Sequence, residues 1–221
     1  MYTLNDLFNS TANLMKGMGV ATEIIGKNSI IDSINKAIKR IIFFDGLYQY
    51  CGNLLKKEEI TLINCESDYP NDCLKPIAIE VENKKTTFTK LEEILRLEKN
   101  PLIEPKEFIY TFIGNKIFLR PSPNTDDIIL LYYVKVPEII SSMLDIFPLS
   151  PELFDPVVLL SALQLVNKIQ DLDQNLFVKY YEQFNRYVAM LSGLDEEQVI
   201  ISKLAEMAEL GKITIKANEK K

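Results

Sequence analysis

The sequence predicts an α+β protein, in which an α-helical bundle formed by the N- and C-terminal segments carries a small inserted antiparallel β-domain. Apolar residues recur at helical spacing near both ends of the chain. Between them, short apolar runs and turn residues take over. No repeat or low-complexity stretch interrupts that order. The segments are 1–53 and 139–193 for the two parts of the bundle, 54–138 for the β-domain, and 194–221 for a C-terminal helix and tail.

Thr3 is placed to cap a first helix, with Asp6 three residues on and Leu4, Leu7, Phe8, Thr11, Leu14 and Met15 on one face. Gly17-Met18-Gly19 ends it. A second helix is expected from Asn28 or Ser29, either of which can cap it. Its stripe is Ile30, Ile31, Ile34, Ala37, Ile38, Ile41 and Ile42, with Lys36, Lys39 and Arg40 on the solvated side.

From about residue 58 the chain reads as strands: "EITLIN", then "LKPIAIEVEN", turned by "NKK" into "TTFT". "TKLE" at 89–92 has the spacing of a capping box and predicts a short helix to about Leu95. Two apolar runs flank Gly114-Asn115, a two-residue hairpin turn. "RPSPNTDD" turns into "DDIILLYYVKVPEI", expected to be the third strand of a meander in a sheet of about five strands. That last strand is apolar on both faces, so something must cover each of them. Glutamate at Ile129 or Leu131 is expected to tell the two faces apart.

Helices return after Pro137. Asp155 is the expected cap of a helix with Pro156 as its first residue, apolar nearly all round through Ile169. An aromatic helix starts after Asp173, carrying Phe177, Tyr180, Tyr181, Phe184 and Tyr187, and Gly193 ends it. Asp195, Glu196 and Glu197 open a last helix, which Gly211 ends. Val199, Ile200, Leu204, Met207 and Ala208 give it an apolar stripe, and "ITIKANEKK" follows as a tail.

Composition narrows the chemistry. The 221 residues are 47% hydrophobic with a net charge of -6, which disfavours a broad nucleic-acid footprint. Histidine is absent, which removes the commonest general base and metal ligand. Cys51, Cys65 and Cys73 are too few for an all-cysteine zinc site and read as reduced core thiols. No phosphate-cradling glycine loop or nucleophile elbow is present. The carboxylate pairs Glu58-Glu59, Glu92-Glu93, Asp126-Asp127 and Glu196-Glu197 are merely adjacent in sequence, whereas a site needs carboxylates that converge in a pocket; Asp126-Asp127 sits in a turn, and Glu92 and Glu196 have capping explanations. No catalytic, cofactor or metal residue is therefore expected, nor a membrane segment, and the protein is read as soluble.

The sequence resembles the head-to-tail adaptor (connector, head-completion) proteins of tailed bacteriophages, those of short-tailed phages in particular. The resemblance runs through residues 20–192 in order. It includes the asparagine-bearing "IIDSINKAIKRI", "YPNDCLKPIAIEV", the hairpin leading through Pro-x-Pro into "DDIILLYYVKVPEI", and "FPLSPELFDPVVLLSALQL" before "KYYEQFNRYVAML". It implies a virion structural protein without catalysis, assembled in the host cytoplasm. Such adaptors form a ring, generally of twelve subunits, below the portal protein. The ring extends a channel through which DNA passes without sequence-specific binding, and tail or nozzle proteins attach to it. The resemblance also makes the C-terminal segment the expected portal or subunit contact, through Val199, Ile200, Leu204, Met207, Leu210, Ile213 and Ile215. A cytoplasmic α+β module binding a small ligand or a protein is the alternative.

Overall fold

The structure is a computed structural model that describes residues 1–21, 25–44, 46–62, 66–81, 86–99, 107–121, 128–167 and 174–193. It is an α+β protein. The chain divides into two compact units, one made of Met1–Tyr50 with the chain from Ile139 onward, the other of Cys51–Glu138.

The first unit is helical. Helix α1 (Leu4–Gly17) begins with the capping box its sequence predicts: Asp6 N donates to Thr3 Oγ1 at 3.4 Å, and Thr3 N donates to Asp6 Oδ2 at 2.8 Å. Helix α2 (Lys27–Ile41) starts slightly before the expected Asn28 or Ser29. Its N-cap is Gly26 at φ 70°, and no side chain caps it. Helix α4 (Phe154–Val166) also starts before its predicted cap. A 3₁₀ turn at Pro151–Leu153 feeds into it, so Pro156 is its third residue rather than its first. Within the first turn that N–H has no intrahelical acceptor, so proline is tolerated there as well.

Helix α4 is the centre of this unit. It packs against α1, α2 and the aromatic helix α5 (Gln174–Ser192). Being covered from three directions explains why almost all of its residues are buried. Where α2 crosses it, Ser33 Oγ donates to the carbonyl of Ser161 at 2.9 Å, and Ser161 Oγ donates to Val157 O at 2.6 Å. Gly46, at φ 78°, lies where the turn after α2 meets the end of α5. A Cβ there would sit 2.9 Å from the Ser192 carbonyl, so only glycine fits.

Thr11 breaks the pattern of satisfied polar groups. It is fully buried on α1 and its hydroxyl has no hydrogen-bond partner. A buried orphan hydroxyl costs about 1–3 kcal/mol, and valine has nearly the same shape. Thr11→Val should therefore raise stability by about 1 kcal/mol, measured as an upward shift of the urea midpoint. A midpoint below that of the parent chain would mean that the hydroxyl has a partner in solution.

The second unit holds two sheets, not one. Strands β1 (Leu55–Thr61), β7 (Ile128–Lys135) and β3 (Cys73–Val81) form the first in the order β1-β7-β3. Strands β2 (Glu66–Asp68), β6 (Lys116–Arg120), β5 (Phe108–Ile113) and β4 (Thr86–Phe88) form the second, in the order β2-β6-β5-β4. The hairpin at Gly114-Asn115 is present, with Gly114 at φ 59°.

The expected meander does not form: β7 leaves the β5–β6 hairpin and pairs antiparallel with β1 and β3. Nor does "TTFT" fold back on β3. Strand β4 pairs parallel with β5, across helix α3 (Leu91–Lys99), which runs beyond the predicted Leu95. A parallel neighbour needs a long crossover, and the "TKLE" helix provides it. The insert is thus not wholly antiparallel. Pro76 is accommodated because β3 is an edge strand, bulged on both sides of that residue.

These pairings settle what covers β7. Ile129, Leu131 and Tyr133 share one fully buried face, so glutamate at Ile129 or Leu131 would not distinguish two faces. They meet Ile79 and Val81 of β3 and Phe108, Tyr110, Ile117 and Leu119 of the second sheet in one apolar layer. Each such aliphatic side chain contributes about 1.5–3 kcal/mol through burial. The other face, at Leu130 and Tyr132, is half-buried. There Lys57 of β1 lies 5.0 Å from the Tyr132 ring centre, and Tyr132 Oη donates to Glu80 of β3. Long charged side chains from the flanking strands cover that face.

Candidate assembly surface

The predicted interface residues Val199, Ile200, Leu204, Met207, Leu210, Ile213 and Ile215 lie outside the described residues, as do Cys65, Asp126-Asp127 and Glu196-Glu197. Among the described residues, no helix is long and apolar enough to cross a membrane, and no cluster of acidic or cysteine side chains is placed to hold a metal.

The densest polar cluster lies in the β unit. Tyr133 Oη sits 2.7 Å from Glu58 Oε2 and 2.9 Å from Asp72 Oδ1, and Lys56 Nζ is 2.8 Å from Asp72 Oδ2. Burial, reinforced by the two carboxylates, pushes the Tyr133 phenol far above its ordinary value. It therefore stays protonated and serves as a donor that ties β7 to β1 and to the turn before β3. The Lys56 ammonium hydrogen-bonds Asp72 and, with the phenol, holds its carboxyl below the usual range.

A carboxylate with a depressed folded pKa lends stability that is present above the unfolded value of 3.8 and is lost as pH falls through the lower folded value. Asp72→Asn should therefore flatten the loss of stability below pH 3.8. Urea melts of the two proteins at descending pH test this, and parallel curves would remove Asp72 from the acid response. Burial raises the Cys51 and Cys73 thiols to about 11, so neither is an activated nucleophile at neutral pH.

The other notable construction is residues 139–147 of the helical unit, a segment that the strand and helix patterns passed over. Three polar devices hold it. At one end, Asn35 on α2 mimics a strand: its Nδ2 donates to Ile140 O at 2.9 Å, and Ile140 N donates to its Oδ1 at 3.0 Å. In the middle, Asp145 Oδ2 accepts from Ser141 N and Ser142 N, each at 2.8 Å, closing a turn. At the other end the strap pairs with the N-terminal residues: Phe147 N donates to Tyr2 O at 2.9 Å, and Thr3 bridges Ile146.

The strap also completes α1. Leu4 N donates to Asp145 O at 2.8 Å and Asn5 N to Met143 O at 3.1 Å. These are N–H groups a helix start cannot satisfy by itself. Tyr2 stacks on Phe154 with ring centres 4.0 Å apart, and Phe147 meets the same ring edge-on at 6.1 Å.

A strap so held turns Ile140 and Phe147 inward, and leaves Ile139 70%, Leu144 83% and Ile146 51% exposed. Tyr2, paired with it, is 40% exposed. Three exposed aliphatics thus fall within eight residues of one hydrogen-bonded segment. The legible signal was Asn35, a polar residue inside an otherwise apolar stripe.

Asn35→Ala would leave the Ile140 amide and carbonyl without their partners. A loss of about 2 kcal/mol is expected, read from urea melts, with faster amide exchange at Ile140. Unchanged exchange there would show that the strap is held by its other contacts alone.

The helical unit also carries an open groove of about 440 Å³ between α1, α4 and α5. Val158 and Leu159 are buried at its floor. Ser10, Asn13 and Leu14 line one side, Tyr180, Gln183 and Tyr187 the other, and Asp155 is also at its wall. Two of the tyrosines singled out in the sequence thus line this groove, and Tyr133 is in the β core. No family model and no curated protein matches the sequence.

Proposed function

We propose that this chain is a virion structural protein, a ring-forming head-to-tail adaptor of a tailed bacteriophage. It binds below the portal protein, extends the DNA channel and carries tail or nozzle proteins, in a ring of twelve subunits assembled in the host cytoplasm. The observation that carries this reading is the strap at residues 139–147, which internal hydrogen bonds hold while Ile139, Leu144 and Ile146 are left exposed. Such a surface suits protein–protein assembly rather than catalysis.

The ordered resemblance to the adaptors between residues 20 and 192 supports the same reading, and a net charge of -6 suits a channel through which DNA slides without sticking. The stripe from Val199 to Ile215 is the proposed portal contact. Electron microscopy of the protein mixed with its cognate portal tests the proposal, with a ring of adaptor density below the portal as the expected result. Failure to form any complex across assembly conditions would overturn it.

The second reading, an α+β module that binds a small ligand or a protein, draws on the groove between α1, α4 and α5. Its mark would be a protein that remains a monomer or dimer even with the portal and binds a ligand through Tyr180 and Tyr187.

A further inference from the structure

The strap at residues 139–147 has an unused edge. Phe147 N and Asp145 O face the N-terminal residues, bonding Tyr2 O and Leu4 N, so the N–H and C=O of Ile146 between them point the opposite way. Neither bonds to any described residue. We propose that residues 212–216 of the same chain, "KITIK", add to that edge as a strand and cover Leu144 and Ile146. The contact itself concerns the free chain. Its consequence, an assembly surface uncovered when the portal takes the tail, rests on the adaptor reading.

The occupant has the residues that such an edge selects. Ile213, Thr214 and Ile215 are β-branched in succession, the side chains that strands favour. An added strand gains affinity from main-chain hydrogen bonds and specificity from its alternate side chains. Here the exposed Leu144 and Ile146 supply the apolar contact. Charge matches as well. Residues 138–155, which contain the strap, carry Glu138, Asp145, Glu152 and Asp155 and no lysine or arginine. Residues 1–15, with which the strap pairs, have Asp6 as their only charged side chain. Residues 212–221 set Lys212, Lys216, Lys220 and Lys221 against Glu219 alone.

Connectivity starts the tail near the strap. Helix α5 ends at Ser192 against Gly46, and Leu191 O accepts from Gln49 Nε2 at 3.4 Å. The carbonyl of the next residue, Tyr50, accepts from Ser150 N at 2.9 Å. Ser150 lies four residues beyond Ile146, at most about 14 Å along the chain. A helical path through residues 194–211 spans about 27 Å, and an extended one about 60 Å. The tail therefore reaches the strap of its own chain. A tethered segment meets its site at an effective concentration of about 1 mM, so it outcompetes the tail of another molecule in dilute solution.

The test follows amide hydrogen exchange at Ile146 in the full chain and in two variants of the tail, Ile213→Asp with Ile215→Asp, and Lys212→Glu with Lys216→Glu. The parent is expected to exchange that amide at least about tenfold more slowly than the aspartate variant. The glutamate variant should lose most of the protection, and added salt should weaken the parent's. Protection should be the same in dilute and concentrated samples, because tail and strap share a chain. Equal rates in the parent and the aspartate variant would overturn the inference. Protection that rises with protein concentration would also overturn it, and would give the strap to the tail of a second copy. Adding the portal separates this contact from the adaptor reading. Faster exchange at Ile146 in the portal complex is expected, and unchanged protection there would overturn the uncovering of the strap. Protection in a chain that binds no portal would remove the adaptor reading alone. Portal binding by a chain whose Ile146 amide exchanges freely throughout would remove this contact alone.

Discussion

Glutamate at Leu131 should abolish cooperative folding of the β unit, whereas glutamine at Leu130, the adjacent residue, should shift its urea midpoint only slightly. Leu131 is fully buried in the layer between the two sheets, among Ile79, Ile129 and Leu119. A carboxylate there has no cation or donor to meet it, and an unpaired buried charge costs at least about 3–5 kcal/mol. That is most of the stability a unit of this size commands. Leu130 lies on the half-buried face, opposite Glu59 of β1 and Glu80 of β3, where a glutamine side chain reaches water without adding a third negative charge, and less than about 1 kcal/mol is expected. Near-UV circular dichroism of the tyrosines follows both, since the chain has no tryptophan. Equal effects at the two positions would mean that the outer face of β7 is also covered, or that its register differs from the pairing with β1 and β3.

Phe184→Ala is the corresponding test of the helical unit. Phe184 is fully buried on α5 and meets Phe44 edge-on, with ring centres 5.7 Å apart. Truncation removes both the burial and the ring contact, and the cavity left behind adds to the loss, about 3–5 kcal/mol in all. Phe177, on the same helix, is half-buried and stacks with Tyr181 at 6.3 Å, so Phe177→Ala should cost about 1 kcal/mol. Far-UV melts in urea compare the two. A Phe184→Ala protein as stable as the parent would show that α5 is held by Val188 and Ala189 without its largest anchor.

Local signals were legible wherever the determining atoms are close in sequence. Thr3 and Asp6 announced the start of α1 because a capping box is a four-residue device. Gly114-Asn115 announced the β5–β6 hairpin, and Gly193 the end of α5, for the same reason. The starts of α2 and α4 were misplaced by a residue or two. Gly26 and a 3₁₀ turn open those helices, and both lack the side-chain hydrogen bond that a sequence signature relies on.

The candidate surface was less legible than the fold. Leu144 and Ile146 look like further core residues, because nothing in their identity says which way they point. Their exposure follows from Asn35, Asp145 and the N-terminal residues, which come from three distant parts of the chain. Thr11 is the converse case, a polar side chain placed on the apolar face of α1 and buried there by the helices that pack against it.

By itself, the sequence determined the α+β class, the apolar periodicity of α1, α2 and α5, and the absence of histidine chemistry, since these depend on residue type and short-range spacing. Only the tertiary structure decided the partners. It moved β7 from its hairpin neighbour to β1 and β3, made β4 parallel to β5, and turned residues 139–147 into a strap that shows aliphatic side chains outward. The physical reason is that strand pairing and surface exposure are set by groups far apart in the chain. A doubly apolar strand such as β7 satisfies its pattern in several sheets equally well, and the burial gained by the whole layer selects one of them.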